Sequence, residues 1–105
     1  MYIYAILAEM RFEFDEEKSA LLKKNRGVSF EEVIELIKLK GILANIKHPN
    51  QQKYPHQRVF IIDINHYAYV VPFISKTVDT VFLKTLYPSR VFTKKYITNY
   101  EKQKN

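Results

Sequence analysis

Polar and apolar residues alternate at 12–14, and this period of two predicts a short β-strand. Asp15 follows as a helix N-cap, with two glutamates in the first turn behind it. Basic residues collect just before Gly27, where their charge suits the C-terminal end of the helix dipole. Gly27 supplies the left-handed position that ends many helices. The pattern therefore predicts a strand and then a helix between Asp15 and Gly27.

The second helix has the clearest start signal in the chain. Ser29 and Glu32 have the S-x-x-E spacing of a capping box, in which each side chain accepts a hydrogen bond from the other residue's exposed backbone N–H. Apolar residues then recur at helical spacing: Phe30, Val33, Ile34 and Ile37. Gly41 is expected to end this helix. Because a tight glycine turn joins the two helices, they should form an αα-hairpin.

Strands dominate the remainder of the chain. The β-rich runs are 42–47, 58–64, 67–73 and 81–87. Asn65-His66 has the length and composition of a two-residue hairpin turn, and Pro88 is expected to stop the last run. A short C-terminal helix is predicted to begin near Ser89 or Thr93. The order β-α-α-β-β-β-β-α indicates an α+β domain, a mainly antiparallel sheet with the αα-hairpin and the C-terminal helix packed on it.

The length of 105 residues allows one domain with one core, and 47% hydrophobic residues are enough to build it. We expect residues 10–98 to form that core and 99–105 to be a frayed tail. Met10 precedes the first strand as an initiator would. Residues 1–9 are therefore expected either to extend upstream of the core or to lengthen its first strand.

The chain contains no cysteine, which rules out disulfides and thiolate metal sites and fits a reducing compartment. The apolar segment 2–8 is much shorter than the roughly 20 residues that span a bilayer, and it lacks the basic flank of a signal peptide. These features predict a soluble, cytoplasmic protein without a membrane partner.

The net charge of +6 is unevenly distributed. Residues 1–41 carry seven Lys/Arg and eight Asp/Glu, whereas residues 42–105 carry ten Lys/Arg and three Asp/Glu. A positive field confined to one half attracts polyanions, so RNA, DNA or an acidic protein are the natural partners. The alternative is a charge excess that serves only solubility.

Several segments resemble one known family. The runs F-E-F-D-E-E-K at 12–18 and G-V-S-F-E-E-V at 27–33 resemble the opening of the BrnT-like ribonuclease toxins of type II toxin–antitoxin systems. R-V-F-I at 58–61 is similar to the family's Arg-led strand, and residues 89–95 are similar to its closing basic segment. The loop at 48–56 looks like that of a divergent branch.

The resemblance implies a RelE-like fold, RNA cleavage without a metal or other cofactor, and neutralisation by a cognate antitoxin. That antitoxin usually brings its own DNA-binding region, so contact with operator DNA would be indirect. The chain departs from the family pattern at Arg26, where the family has His, and at Tyr96, where it has an acidic residue.

Metal-free RNA cleavage needs a group that deprotonates the 2′-OH, a group that protonates the leaving 5′-oxygen, and cations that hold the phosphate. Arg90 is the first candidate, since it follows a strand end and a Pro-Ser turn. Arg58 is the second, although it could instead pair with Asp63 or Glu31. His48 and His56 are candidates for proton transfer because histidine titrates near neutrality. We expect the cationic side chains to converge on one concave surface.

The predicted RNA-binding residues combine positive charge with aromatic rings, which hold phosphates and stack on bases. They are Lys53, Tyr54, Lys84, Tyr87, Lys94 and Lys95. For the lysines, a solvated protein surface is the competing interpretation.

The histidine spacings 48, 56 and 66 fit no zinc pattern, so we expect no metal site. Two other functions stay open beside the ribonuclease. One is a nucleic-acid-binding module without catalysis, and the other is a domain whose basic surface binds an acidic protein.

Overall fold

The structure is a computed structural model, and it describes residues 9–98. The predicted N-terminal extension, apart from Glu9, and the predicted tail lie outside the described residues. The strands are β1 (Arg11–Glu13), β2 (Ala44–Lys47), β3 (Arg58–Ile64), β4 (Tyr67–Ser75), β5 (Thr80–Leu83) and β6 (Tyr87–Pro88). The helices are α1 (Glu16–Arg26), α2 (Phe30–Lys40) and α3 (Arg90–Thr93), which continues as a π-helical turn, Lys94–Thr98.

The strands form one mixed sheet in the order β1-β5-β4-β3-β2. β1 and β5 are parallel, and all other pairs are antiparallel. β5 and β6 both pair with β4, β5 at residues 73–75 and β6 at residues 69–70. The predicted α+β class and the mainly antiparallel sheet are confirmed.

The helix ends follow the predicted caps. The Asp15 carboxylate accepts hydrogen bonds from the backbone N–H groups of Glu17 and Lys18, and Gly27 has φ 80° at the end of α1. The capping box between Ser29 and Glu32 is complete at the start of α2. These contacts satisfy backbone groups that would otherwise have no partner at the helix ends.

The buried Ser19 hydroxyl joins the two helices of the αα-hairpin. Its oxygen accepts a hydrogen bond from the backbone N–H of Phe30 at 2.9 Å, and its hydrogen is donated to the Glu31 carboxylate. This hydrogen bond holds the pKa of Glu31 below its usual value. One serine of α1 therefore ties α1 to the first turn of α2.

Helices cover the sheet on both faces. On the first face, α1 and α2 bury the side chains that alternate toward them along three strands, which are Phe60, Ile62, Val71, Phe73, Val81 and Leu83. We call this the α1–α2 face. On the second face, Ile97 of the π-helical turn packs on Val59, Ile61, Ala68 and Val70, and we call this the α3 face. The αα-hairpin and the C-terminal helix thus lie on opposite sides of the sheet.

The predicted hairpin turn is confirmed, because Asn65 and His66 have φ values of 54° and 66°. Both central residues of such a turn need positive φ. The second strand of this hairpin is longer than expected and ends at Ser75.

The predicted strand 81–87 is interrupted. The ladder stops at Leu83 and resumes only at Tyr87. Pro88 does not end the pairing as expected, since it lies opposite Tyr69 in β6. Proline is tolerated there because β6 is a short outer strand that need not donate from every residue.

Within residues 9–98, every helix is too short or too polar to cross a lipid bilayer.

Candidate functional site

The polar loop between β2 and β3 is fastened at both ends. The backbone N–H of His48 donates to the carbonyl of Gln57 at 3.1 Å, which closes the loop at its base. Gln51 donates from its side chain to the His48 carbonyl at 2.8 Å, and the backbone N–H of Tyr54 donates to Asn50 at 2.9 Å. These bonds tie the loop backbone to itself and set where His48 and Tyr54 leave it.

His48 is buried, with only 7% of its surface exposed. Its Nδ1 atom accepts a hydrogen bond from the backbone N–H of Asn50 at 3.0 Å. Burial lowers the pKa of His48, so the ring is neutral at pH 7 and carries its hydrogen on Nε2. Within residues 9–98, no protein group bonds to this N–H. Since no fully buried side-chain nitrogen or oxygen there lacks a partner, Nε2 must be accessible to solvent.

Two aromatic contacts extend from this histidine. The Tyr54 ring lies 4.5 Å from the His48 ring, measured between centroids. The Lys53 ammonium lies 5.4 Å from the centroid of Tyr54. The loop thus presents an imidazole, a phenol and a cation together.

The loop closes one side of a cavity of about 370 Å³, a size found among small-ligand sites. The opposite wall comes from the interruption between β5 and β6, where the backbone N–H of Lys84 donates to Pro72 at 2.8 Å. The lining residues are His48, Tyr54, Gln57, Pro72, Lys84, Thr85 and Tyr87. The break in the predicted strand 81–87 therefore creates this site.

Tyr87 lies in the wall of the cavity and is half-buried. Burial raises the pKa of its phenol, and the nearby Tyr54 raises it further. Tyr87 therefore keeps its proton at neutral pH and can donate it to a bound group. Among the described residues that line the cavity there is no carboxylate, and Lys84 carries a positive charge, so the lining suits an anionic ligand.

Four predicted site residues meet in this cavity: His48, Tyr54, Lys84 and Tyr87. Lys53 adjoins it through its contact with Tyr54. His56 belongs to the same loop and is exposed, and its neighbour Gln57 lines the cavity.

Arg58 lies elsewhere. It lies two residues before Phe60 and four before Ile62 in β3, so it is on the same side of the strand as they are, the α1–α2 face. Its guanidinium donates to the side-chain and backbone oxygens of Asn45, both at 2.9 Å, and not to Asp63 or Glu31.

The other basic candidates are exposed on the C-terminal helix. Arg90 follows the N-cap Ser89, and Lys94 and Lys95 belong to the π-helical turn, where Lys95 lies 5.3 Å from the centroid of Tyr96. None of the three lines the cavity. Because α3 packs on the face opposite Arg58, the expectation that all the cations converge on one surface is wrong.

Sequence reasoning missed three lining residues, Gln57, Pro72 and Thr85. Apolar spacing gave one signal, since Val81 and Leu83 alternate but Leu86, also fully buried, breaks that period. A change of period inside a β-rich run is typical of an irregularity that re-aims side chains.

Across residues 9–98, no three His, Cys, Asp or Glu side chains are grouped so that they could bind one metal ion. No known family, curated protein or solved structure matches the chain. A functional assignment therefore depends on the chemistry of the cavity and its surroundings.

Proposed function

We propose that this chain is a metal-independent endoribonuclease, the toxin of a type II toxin–antitoxin pair, and that it binds RNA at the cavity between the 48–57 loop and Tyr87. The observation that carries the proposal is that His48, Tyr54, Lys84 and Tyr87, all singled out for RNA chemistry from the sequence, line one cavity. The RelE-like fold, the cytoplasmic location and the cognate antitoxin are part of the same proposal and rest on the resemblance to BrnT-like toxins.

In this proposal, the cavity binds one nucleotide and its phosphate. Tyr54 offers a ring on which a base can stack, as is common for single-stranded RNA. Lys84 and Lys53 contact the phosphate oxygens. The Nε2–H of His48 and the side-chain amide of Gln57 add neutral donors that orient the nucleotide.

Cleavage proceeds by attack of the 2′-oxygen on the adjacent phosphorus while the bond from phosphorus to O5′ breaks. The products are a 2′,3′-cyclic phosphate and a 5′-hydroxyl. Tyr87 gives its phenolic proton to the leaving O5′, and Lys84 stabilises the extra negative charge on the phosphate oxygens. We assign removal of the 2′-OH proton to His56, because His48 presents an N–H and cannot accept a proton at that atom.

The test is incubation of the purified protein with total RNA in EDTA. The expected result is cleavage into fragments with cyclic phosphate ends, slowed about 100-fold or more by Tyr87→Phe, which removes only the acidic proton. Tyr96→Phe, on the C-terminal helix, is the matched control and should cleave like the wild type. An intact RNA pool, or equal rates for wild type and Tyr87→Phe, contradicts the proposed chemistry.

Arg90 and Arg58 are tested in the same assay. Their predicted catalytic roles require a large loss of rate in Arg90→Ala and Arg58→Ala, although neither residue lines the cavity. Rates within about twofold of the wild type would remove them from the site and leave the cavity residues as the candidates.

A second function is favoured by two observations: no carboxylate is among the described residues that line the cavity, and the accessible ring nitrogen of His48 is a donor. Such a site suits an RNA- or DNA-binding module without catalysis. This alternative predicts binding that weakens steeply with salt, in proportion to the number of phosphates contacted, and no cleavage at any pH.

A further inference from the structure

The α3 face is only partly covered by its helix. The C-terminal helix and its π-helical turn pack on β3 and on the first half of β4. Farther along the same face, Ile74 of β4 and Phe82 of β5 lie side by side and are both half-buried. Phe82 belongs to this face because Val81 and Leu83, its neighbours in the strand, point into the opposite core. The helices within residues 9–98 leave this part open, and we call it the uncovered part of the α3 face. It adjoins the cavity, since Pro72 lies two residues before Ile74.

Two lysines lie over the Phe82 ring. The Lys84 ammonium is 5.4 Å and the Lys76 ammonium 5.9 Å from the ring centroid. Lys84 also lines the cavity, so its ammonium group lies between the cavity and the Phe82 ring. Lys76 is held by an ion pair with Glu13 at 2.8 Å, in which both side chains are about half exposed.

We propose that Phe82, with Lys84 and Lys76, is a second base-stacking subsite that continues the RNA path from the cavity across the uncovered part of the α3 face. The inference rests on the proposed binding of RNA at the cavity and adds the direction in which the RNA leaves the cavity. A base takes the place of the two ammonium groups on the ring, and the ammonium groups move to the flanking phosphates.

The occupant is single-stranded RNA for two reasons. A ring can stack only on a base that is not already stacked inside a duplex. β5 lies between β1 and β4, so its backbone groups are already paired and offer no free edge to an extended peptide. Cations around an aromatic ring are complementary to a base with its phosphates, whereas an acidic peptide would use the cations alone.

The experiment measures binding of fluorescein-labelled 2′-O-methyl RNAs of random sequence, two and eight nucleotides long, by anisotropy in EDTA. The 2′-O-methyl group blocks cleavage, so only binding is observed. Phe82→Leu should weaken binding of the eight-nucleotide RNA about tenfold and leave the dinucleotide unchanged. Tyr67→Leu is the matched control, because this exposed ring lies at the other end of the sheet, and it should change neither affinity.

Glu13→Gln is a second variant that does not disturb the core. Releasing Lys76 from its ion pair should tighten binding of the eight-nucleotide RNA a few fold and steepen its salt dependence by about one counterion. Equal binding of this RNA by wild type, Phe82→Leu and Glu13→Gln overturns the second subsite while the cavity proposal stands. A parallel loss of dinucleotide binding in Phe82→Leu also overturns it. Absence of RNA binding by the wild type, with or without binding of an acidic peptide, overturns both proposals.

Discussion

The two faces of the sheet are covered by helical layers of very different extent. The α1–α2 face is covered by two helices of 11 residues each, which bury aromatic and branched side chains from three strands. The α3 face has a four-residue helix and a five-residue π-helical turn, which reach only part of it. The cavity and the exposed side of Phe82 belong to this second face. We therefore expect the α1–α2 face to contribute more of the stability and the α3 face to be the more accessible one.

The two faces should differ most in how much stability is lost when an aromatic side chain is truncated. Phe30, the first residue of α2, is fully buried with its ring 5.4 Å from that of Phe14, so Phe30→Ala should lower the free energy of unfolding by about 3–5 kcal/mol. Phe92 on α3 is half-buried, and Phe92→Ala should cost less than half as much. Urea unfolding followed by circular dichroism measures both. Equal losses would contradict the assignment of stability mainly to the α1–α2 face.

The next prediction compares two buried hydroxyls, one on each side of the sheet. Ser19 accepts from the N–H of Phe30, and Thr93 accepts from the N–H of Ala68 at 2.8 Å. Ser19→Ala and Thr93→Val each leave a buried N–H without a partner, at a cost of about 1–3 kcal/mol. Chemical denaturation gives the two values. A neutral effect of either substitution would show that the freed N–H finds water instead.

His48 should make the α3 face sensitive to acid. Burial lowers the pKa of His48 in the folded protein, so the unfolded chain takes up a proton first as the pH falls through about 6.5. Stability is therefore full above that pH and declines below it, as protonation of Nδ1 removes the acceptor for Asn50. NMR titration of the imidazole should give a midpoint below 6.5. His48→Gln should weaken the decline in stability, and His56→Gln, in an exposed position, serves as the comparison.

The smallest effect concerns an exposed ion pair on the αα-hairpin. Lys23 donates to Glu32 at 2.8 Å, and this contact, with the N–H of Ser29, holds the pKa of Glu32 below its usual value. Glu32→Gln keeps an acceptor for the capping box but removes the charge. It should cost about 0.2–1 kcal/mol at pH 7. A carboxyl group with a lowered pKa stabilises the fold at neutral pH, and this stabilisation is lost as the pH falls through that pKa. The difference in stability between wild type and Glu32→Gln should therefore shrink in acid, which thermal unfolding of both proteins over a series of pH values below 7 measures.

Local signals in the sequence predicted the helix ends and the β3–β4 turn. Asp15, Gly27 and the Ser29–Glu32 box depend on contacts within a few residues, so the sequence contains all the information that they need. The hairpin turn is equally local, since Asn65 is among the residues that tolerate positive φ.

The site was less predictable because it depends on contacts between distant segments. His48 and Tyr54 meet Lys84 and Tyr87 only because the chain leaves the edge of β4 after Leu83. Whether Arg58 and the C-terminal helix share a face depends on the pleat of β3 and on which side of the sheet the last helix crosses. No spacing within the sequence fixes that choice of side.

The parallel pairing of β1 with β5 has a consequence for synthesis of the chain. Arg11 is paired with Thr80, so the first described strand acquires its neighbour only after most of the chain has left the ribosome. Until then, α1 and α2 can pack on β3 and β4 but lack Val81 and Leu83, the side chains that β5 adds to the same face. Closing so long a segment slows folding compared with local contacts. A nascent chain that stops before β5 therefore leaves β1 unpaired and part of the α1–α2 core unfilled.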